Sequence, residues 1–466
     1  MTARFKRLYF RLVFGSPWQR TRVSELRKSL RVSTVEGVFA TIHVALTQGL
    51  FLTHYTIRLG CPDWLLGVIE ALPFLCTGFA FLSPMLVRRL RSRMAVVRTF
   101  ALLHRAAWLV LVMLLFAGLP ERLNHIILVL TLLLANAAAV VAGNAWLAWM
   151  ADLVPPAIRG SYYGRRNAAL GAVSLAMMLF GSFVLTWWKN RDDIEVGFAC
   201  CFIFAVVAAL VSARTLTLQF EPEAPRPNTR RTVFQTIAEV WKLPMVRDVS
   251  RFIMVWQFCL GLSAAYFGAH MVRVLKMSPF EMGLFGVIQS VAALLSTPTW
   301  GRLDRKLGSR AVLSGCGVMI GVHIFPWLMT SEQLVWPVYI VAVIGGFAWA
   351  GFNLSWFNFT QSLGQADLRQ HTFGVIGFFQ GTAFFVGSIL GGVVLHFLPD
   401  QLFGWSVGPW VFVNYFLIFA VSSFGRLGAL KLLPRSERGG TLVCLRLIAS
   451  GWGSRFVSKA PPEQPS

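Results

Sequence analysis

Charge is what this sequence has least of. Charged residues make up 14% of its 466 positions, and only 20 are acidic against 43 Lys and Arg. A soluble domain carries about a quarter charged residues, so a surface facing water on every side is excluded. Cysteine is scarce too: seven in all, mostly inside apolar stretches and without metal-type spacing. That argues against a metal site and a disulfide framework. No Walker-type phosphate loop, HExxH or Gly-x-Ser-x-Gly elbow occurs. Neither ATP, another cofactor nor hydrolytic chemistry is therefore implied. The alternating pattern of a membrane β-barrel is also missing.

What the chain has instead is apolar length. It is 56% hydrophobic, with mean hydropathy +0.62. Windows long enough to cross a bilayer as a helix recur twelve times, at about 34–56, 64–86, 97–118, 124–150, 167–188, 197–217, 250–271, 282–300, 311–330, 335–357, 373–397 and 408–430. The expected fold class is an all-α membrane protein of twelve spans, in two pseudo-symmetric six-helix bundles. The expected divisions are a basic tail (1–31), a first bundle (32–218), a linker (219–249), a second bundle (250–430) and a tail (431–466).

The net charge of +23 is an orientation signal, and nucleic acid is not an expected partner. The termini and every second loop together hold roughly 36 of the 43 Lys and Arg, whereas the other side holds Arg58, Arg122, Lys189, Arg191, Arg273 and Lys276. The positive-inside rule puts both termini in the cytoplasm, with basic loops facing anionic lipid. Residues 1–31 lack an uninterrupted apolar core and are not read as a cleavable leader. Phe5, Leu8, Tyr9, Leu12 and Val13 share a helical face with Arg4, Lys6, Arg7 and Arg11 interleaved, which fits an interfacial helix or a solvated basic tail equally. In the linker, Val233, Phe234, Ile237, Val240 and Trp241 make a similar stripe.

The halves repeat. At an offset of 210, Trp146 meets Trp356, Leu153 meets Leu363, Arg159 meets Arg369, Gly164 meets Gly374, and Gly171 meets Gly381. A six-helix internal repeat is the trace of a transporter built from two related bundles. Between spans eight and nine lies GRLDRKLGSR (301–310), and its counterpart between spans two and three is LVRRLRSRMAVVR (86–98). The first of these resembles the loop motif of the major facilitator superfamily, Gly-x-Leu-x-Asp-Arg-x-Gly-x-Arg. Gly301, Leu303, Gly308 and Arg310 match it; Asp304 stands one position early, and Arg305 takes the usual Asp place. DLVPPAIRGSYYGRRNAALG (152–171) and VEGVFATIHVALTQGLFLTHYTIRLG (35–60) are similar to segments of an uncharacterised bacterial subgroup of that superfamily. The resemblance implies a monomeric secondary transporter of a small-molecule solute, with no cofactor and no metal. It also implies a gate. Asp304 would meet the start of the fifth span near Gly164, Arg165 and Arg166, with Arg159, Arg369 and Gly374 at the paired loops. On the residues alone, the loop is equally a charged anchor whose glycines permit the turn.

Ionisable groups inside spans are expensive and mark function or tight pairing. Glu36, His43, Thr47 and His54, separated by 7, 4 and 7 residues, lie within roughly 40° of one another on a helix. Facing a central cavity they would pass protons or contact substrate; otherwise they bond neighbouring helices, with Glu36 at headgroup depth. Glu70, in the second span, is either a proton carrier or a hydrogen-bonded structural acid. His104 and Arg105 are expected to snorkel. Trp349, Asn353, Trp356 and Thr360 form a stripe in span ten. Asn144 and Trp146 stand in span four, and Trp256, Gln257, Ser263 and His270 in span seven. By the resemblance, spans one, four, seven and ten line the cavity, giving an aromatic-walled pocket with few fixed charges. The glycines of span eleven, Gly377-x-x-x-Gly381 and Gly387-x-x-x-Gly391, permit close packing, and the resemblance implies that this packing is against span two. Two rival readings stay open at this point: a transport-inactive scaffold or receptor with the same fold and, less favoured, an intramembrane enzyme.

Overall fold

A computed structural model describes residues 18–221, 239, 241–361, 363, 369–399, 401–407, 410–433 and 444. The stripes expected at 5–13 and 233–240 lie outside the described residues. Among the described residues, twelve helices are long and apolar enough to cross a membrane. Helices are the necessary solution, because hydrocarbon leaves backbone N–H and C=O groups no other partner. Many large apolar side chains remain exposed, among them Met113, Leu294, Leu295 and Phe397. Such a surface suits lipid rather than water.

The first span is α1 (Trp18–Thr47) and α2 (Leu50–Arg58), broken where Gly49 takes φ 62°. The second begins as α3 (Asp63–Leu75) with Pro73 inside it, tightens into a 3-10 turn at Cys76–Phe81 and continues as α4 (Leu82–Leu90). Then come α5 (Arg93–Phe116), α6 (Glu121–Leu153), α7 (Pro156–Lys189) and α8 (Ile194–Leu216). The second half holds α9 (Pro244–Arg273), α10 (Pro279–Leu307), α11 (Ser309–Val322), α12 (Pro337–Gln361), α13 (Arg369–Phe397) and α14 (Asn414–Ala429). Between α13 and α14 lies an antiparallel hairpin of β1 (Gln401–Val407) and β2 (Trp410–Val413). Local chemistry sets several helix ends. Ser278 and Glu281 cap α10 reciprocally, ahead of Pro279 in its first turn. Gly308, at φ 83°, both ends α10 and starts α11; this left-handed geometry is costly for other residues.

The chain forms two compact units: Met1–Cys61 with Cys76–Thr229, and Pro62–Leu75 with Arg230–Ser466. In the first, α1 packs on α7 and α8, and α5 on α6 and α8. Its core gathers Val96, Val97, Val141, Trp149, Met150 and Leu153, with Trp146 against its edge. In the second, α9 packs on α13 and α14, and α12 on α10 and α11. Its core gathers Phe252, Trp256, Trp300, Phe352 and Leu363, with Trp356 against its edge. The repeat partners Trp146 and Trp356, and Leu153 and Leu363, thus occupy like surroundings. Trp241, from the linker stripe, packs on the second core and tilts over Phe379 at 4.7 Å.

Span two is shared: α3 belongs to the second unit, where it packs on α9 and α13. The glycines of α13 make this seam. A Cβ on Gly387 would fall on the Phe258 carbonyl, one on Gly391 on the Leu262 carbonyl, and one on Gly392 on the Trp64 backbone. The eleventh span does pack on the second, at Gly392 and Ser388, but Gly387 and Gly391 lie against span seven instead, and Gly377 has nothing within 4 Å. Gly387→Val should therefore cost about 1–3 kcal/mol through overpacking. Gly377→Val, on the same helix with nothing within 4 Å of its Cβ position, should stay within about 0.5 kcal/mol. Thermal unfolding of the two variants in detergent checks this.

Candidate functional site

The first unit carries a buried charged cluster. Glu36 of α1 accepts a hydrogen bond from Ser212 Oγ of α8 at 2.7 Å. Arg105 of α5 comes within 3.7 Å of one of its carboxylate oxygens, and Arg166 of α7 within 3.9 Å of the other. All four side chains are buried. Arg105 also donates to the Ala209 carbonyl at 3.1 Å. Arg166 donates from Nε to the Ser33 carbonyl at 3.5 Å and lies over the Trp146 ring, 4.8 Å from its centroid. Gly37 makes the room: a Cβ there would sit 2.5 Å from the Arg166 guanidinium. Arg105 therefore does not snorkel; its side chain is turned inward onto Glu36. His104 is likewise buried, with Nδ1 3.0 Å from the Ala135 carbonyl.

The polar stripe of span one does share a face, but that face meets α5 and α8 of its own unit. His43 Nδ1 stands 3.3 Å from the Ala205 carbonyl, with its ring edge-on to His104 and Trp108. Thr47 bonds back to its own helix at the His43 carbonyl. His54 packs edge-on against Phe198. At Glu36 and His43 the stripe bonds neighbouring helices, which is one of its two readings: helix periodicity fixes which residues share a face, not which neighbour the face meets.

In the second unit Trp256 stacks on Phe352 at 4.6 Å and 14°. Trp349 and Trp356 stand beside them, edge-on to Phe352 and tilted to Phe252 respectively. Gln257 is buried, and its carbonyl oxygen has no partner among the described residues. Asn353 and Asn144 are exposed; Asn144 donates to the Ala80 carbonyl at 3.0 Å. His270 bonds Thr330 at 2.9 Å inside a ring of Trp327, Tyr415, Phe416 and Phe419, so its role is packing.

The loop motif is tied within its own unit. Asp304 accepts from Ser355 at 2.8 Å, Asn358 at 2.9 Å and Ser309 at 3.1 Å. These bonds fasten the motif to α12 of its own unit. Arg310 reaches the Leu433 carbonyl at 3.4 Å, Gly301 lies within α10, and Arg305 is exposed. The first-half counterpart has the reverse polarity. Arg93 donates to Asp152 of α6 at 2.7 Å and to the Ala148 carbonyl at 3.4 Å, and residue 148 is the 210-offset partner of Asn358. Ser92 and the Arg93 backbone bind Glu221. Gly164 and Arg165 are exposed. Arg159, Arg369 and Gly374 fall within helices, and their surroundings lie outside the described residues.

At the start of α3, Asp63 accepts from Arg273 at 2.7 Å and from the Tyr415 hydroxyl at 3.0 Å. One turn further, Ser388 Oγ donates to the Gly67 carbonyl at 3.0 Å, and the Tyr266 hydroxyl to the Ser388 carbonyl at 2.7 Å. Glu70 lies near Tyr266, and among the described residues neither a cation nor a hydrogen-bond donor acts on it. Asp63, Ser212 and Ser388 were not singled out in the sequence. Ser212 had a signal that went unread, since it pairs with Ser422 at the same offset of 210. Asp63, a lone acid opening an apolar window, had none beyond its place.

Residues 37–388 match the family model of the Major Facilitator Superfamily. No curated protein matches the sequence. Among solved structures, the nucleoside transporter NupG is similar with TM-score 0.63 at 12% identity, over 88% of this chain and 100% of that one. A D-xylose-proton symporter is similar with TM-score 0.62 at 17% identity, over 89% and 99%. The inward-open xylose transporter XylE from E. coli is similar with TM-score 0.58 at 16% identity, over 91% and 99%. Identities this low speak for the fold alone, but the family model spans well over half the sequence. This chain belongs to the Major Facilitator Superfamily.

Proposed function

We propose that this protein is a secondary transporter that carries a small organic solute across the membrane by alternating access, with both termini cytoplasmic. Family membership supports transport. The observation that carries the mechanism is the divided second span, with α3 held in one unit and its continuation in the other, and Pro73 and a 3-10 turn between them. A proline and a 3-10 turn weaken the helix where its packing changes from one unit to the other. The solute contacts assigned are Trp146, Trp349, Trp356, Asn144 and Asn353. Reconstitution of the purified protein into liposomes, with uptake of a radiolabelled solute panel, tests the reading. Saturable flux supports it; binding without flux favours a scaffold or receptor, and turnover without flux an enzyme.

Asp63, Arg273 and Tyr415 act as a clasp on α3 in this reading. A charge-assisted bond of this kind, partly exposed, contributes about 1–1.5 kcal/mol, roughly a tenfold bias in a two-state equilibrium. Asp63→Asn should raise labelling of Ser388→Cys by a membrane-impermeant maleimide by about that factor. Unchanged labelling removes the clasp from the mechanism.

Glu70 is the assigned proton carrier, because an unpaired acid inside a span can change charge without breaking a partner's bond. In proteoliposomes, Glu70→Gln should abolish the dependence of flux on an imposed proton gradient while leaving solute exchange intact. Gradient-driven flux at the wild-type rate in that variant assigns coupling elsewhere.

A further inference from the structure

The buried cluster of the first unit is out of charge balance. Arg105 and Arg166 bring two positive charges to the single negative charge of Glu36, and each of the three residues is less than 10% exposed. A net charge away from water is costly, so such clusters close on neutrality. The same imbalance shows in the hydrogen bonds. Each guanidinium carries five N–H donors, and the approaches to Glu36, 3.7 and 3.9 Å, are longer than a hydrogen bond. The one short bond that Glu36 accepts comes from Ser212. Backbone carbonyls take one donor from each arginine, at Ala209 and Ser33. The indole Nε1 of Trp146, whose ring covers Arg166, is buried with no partner among the described residues. Among the described residues donors outnumber acceptors, and the group that would balance them only accepts and carries one negative charge. A neutral ligand leaves the excess charge in place, a cation increases it, and a dianion overshoots to net negative.

We propose that Arg105 and Arg166, beside Glu36, bind the carboxylate of a small organic monoanion, and that the solute carried is of this class. Substrate class here rests on the transporter reading, whereas the binding site does not. Arg166 grips the carboxylate as a planar fork, Trp146 covers its organic part, and Glu36 sets the charge of the acceptable ligand. Trp146 is partly exposed, which places one wall of the cluster at the surface of the unit. Gly37 holds the space in which the Arg166 guanidinium lies.

The test is thermal unfolding of the purified full chain at fixed ionic strength. The probes are acetate, pyruvate, benzoate and phenylacetate, the amides acetamide and benzamide, and the dianions succinate and phthalate. At least one monocarboxylate should raise the wild-type Tm by about 2 °C or more at saturation, with its amide and the dianions inert. Arg166→Gln should remove that rise, and Arg166→Lys, which keeps charge without the fork, should weaken binding about tenfold or more. Glu36→Gln leaves the cluster with two positive charges and should extend stabilisation to succinate or phthalate, a change of preference that a merely structural Glu36 would not produce. If Glu36→Gln does not fold, the two Arg166 variants decide. The proposal is overturned if no monocarboxylate exceeds its amide in the wild type, or if Arg166→Gln keeps the full response. Carboxylate binding without flux in liposomes leaves the site standing and removes the transporter reading; flux of other solutes without carboxylate binding does the reverse.

Discussion

Four helices of the first unit meet at one carboxylate. Glu36 draws Ser212 from α8, Arg105 from α5 and Arg166 from α7 toward α1. Taking these charges out of water costs several kcal/mol per ion, and mutual attraction offsets that only when the arrangement is kept intact. Removing Glu36 would leave two buried cations facing each other, so its loss would cost far more than its bonds contribute. The arrangement also explains Gly37. Any side chain there would push Arg166 away from its Trp146 seat. Local sequence choices on α1 thus follow from a pairing that spans 130 residues of chain.

The second unit answers the same demand differently. Ser422 of α14 is the repeat partner of Ser212, and a buried arginine again lies nearby: Arg426, whose Nε donates to the Ser422 carbonyl at 3.2 Å. No acid faces it among the described residues, and its Nη2 has no partner there. Its place in the last turn of α14 sets it against the negative end of the helix dipole, which offsets part of a full charge. The loops diverge as well. In one half an acid on the loop accepts from side chains of α12; in the other a base on the loop donates to α6 at the equivalent turn. The repeat preserves where the loop is tied and not which partner carries the charge. A degenerate motif at 86–98 therefore does not mean a lost attachment.

The sequence made the twelve spans legible because apolar length is a one-dimensional property. The repeat was legible at Trp146, Trp356, Leu153 and Leu363, since core positions tolerate few replacements and keep their offset. Span one shows where legibility ends. Its 7, 4, 7 spacing put Glu36, His43, Thr47 and His54 on one face, and they are on one face. Whether that face meets a cavity or α5 and α8 depends on the rotation of the helix in its bundle, which packing decides. Arg105 illustrates the same limit in depth: a long side chain near a span's end reaches either outward to headgroups or inward to a partner, and the partner here is 69 residues away. Asp304 was displaced by one position from the motif, and on a helix one position is about 100°; its carboxylate accordingly points to α12.

Pro73 remains to be placed in this scheme. Inside a helix it removes a backbone donor and crowds the carbonyl four residues back, at Ile69. In hydrocarbon that freed carbonyl has no water to turn to, so a proline at this depth needs a reason. The chain does not recover a regular helix after it; it passes through a 3-10 turn to Phe81 before α4 begins. The division between the two units falls within this same stretch, between Leu75 and Cys76. On one side α3 is held by the glycine seam of α13, by Ser388 and by the Asp63 clasp. On the other, the turn and α4 pack on α6. The weakest hydrogen-bonded point of the span coincides with the change of partner.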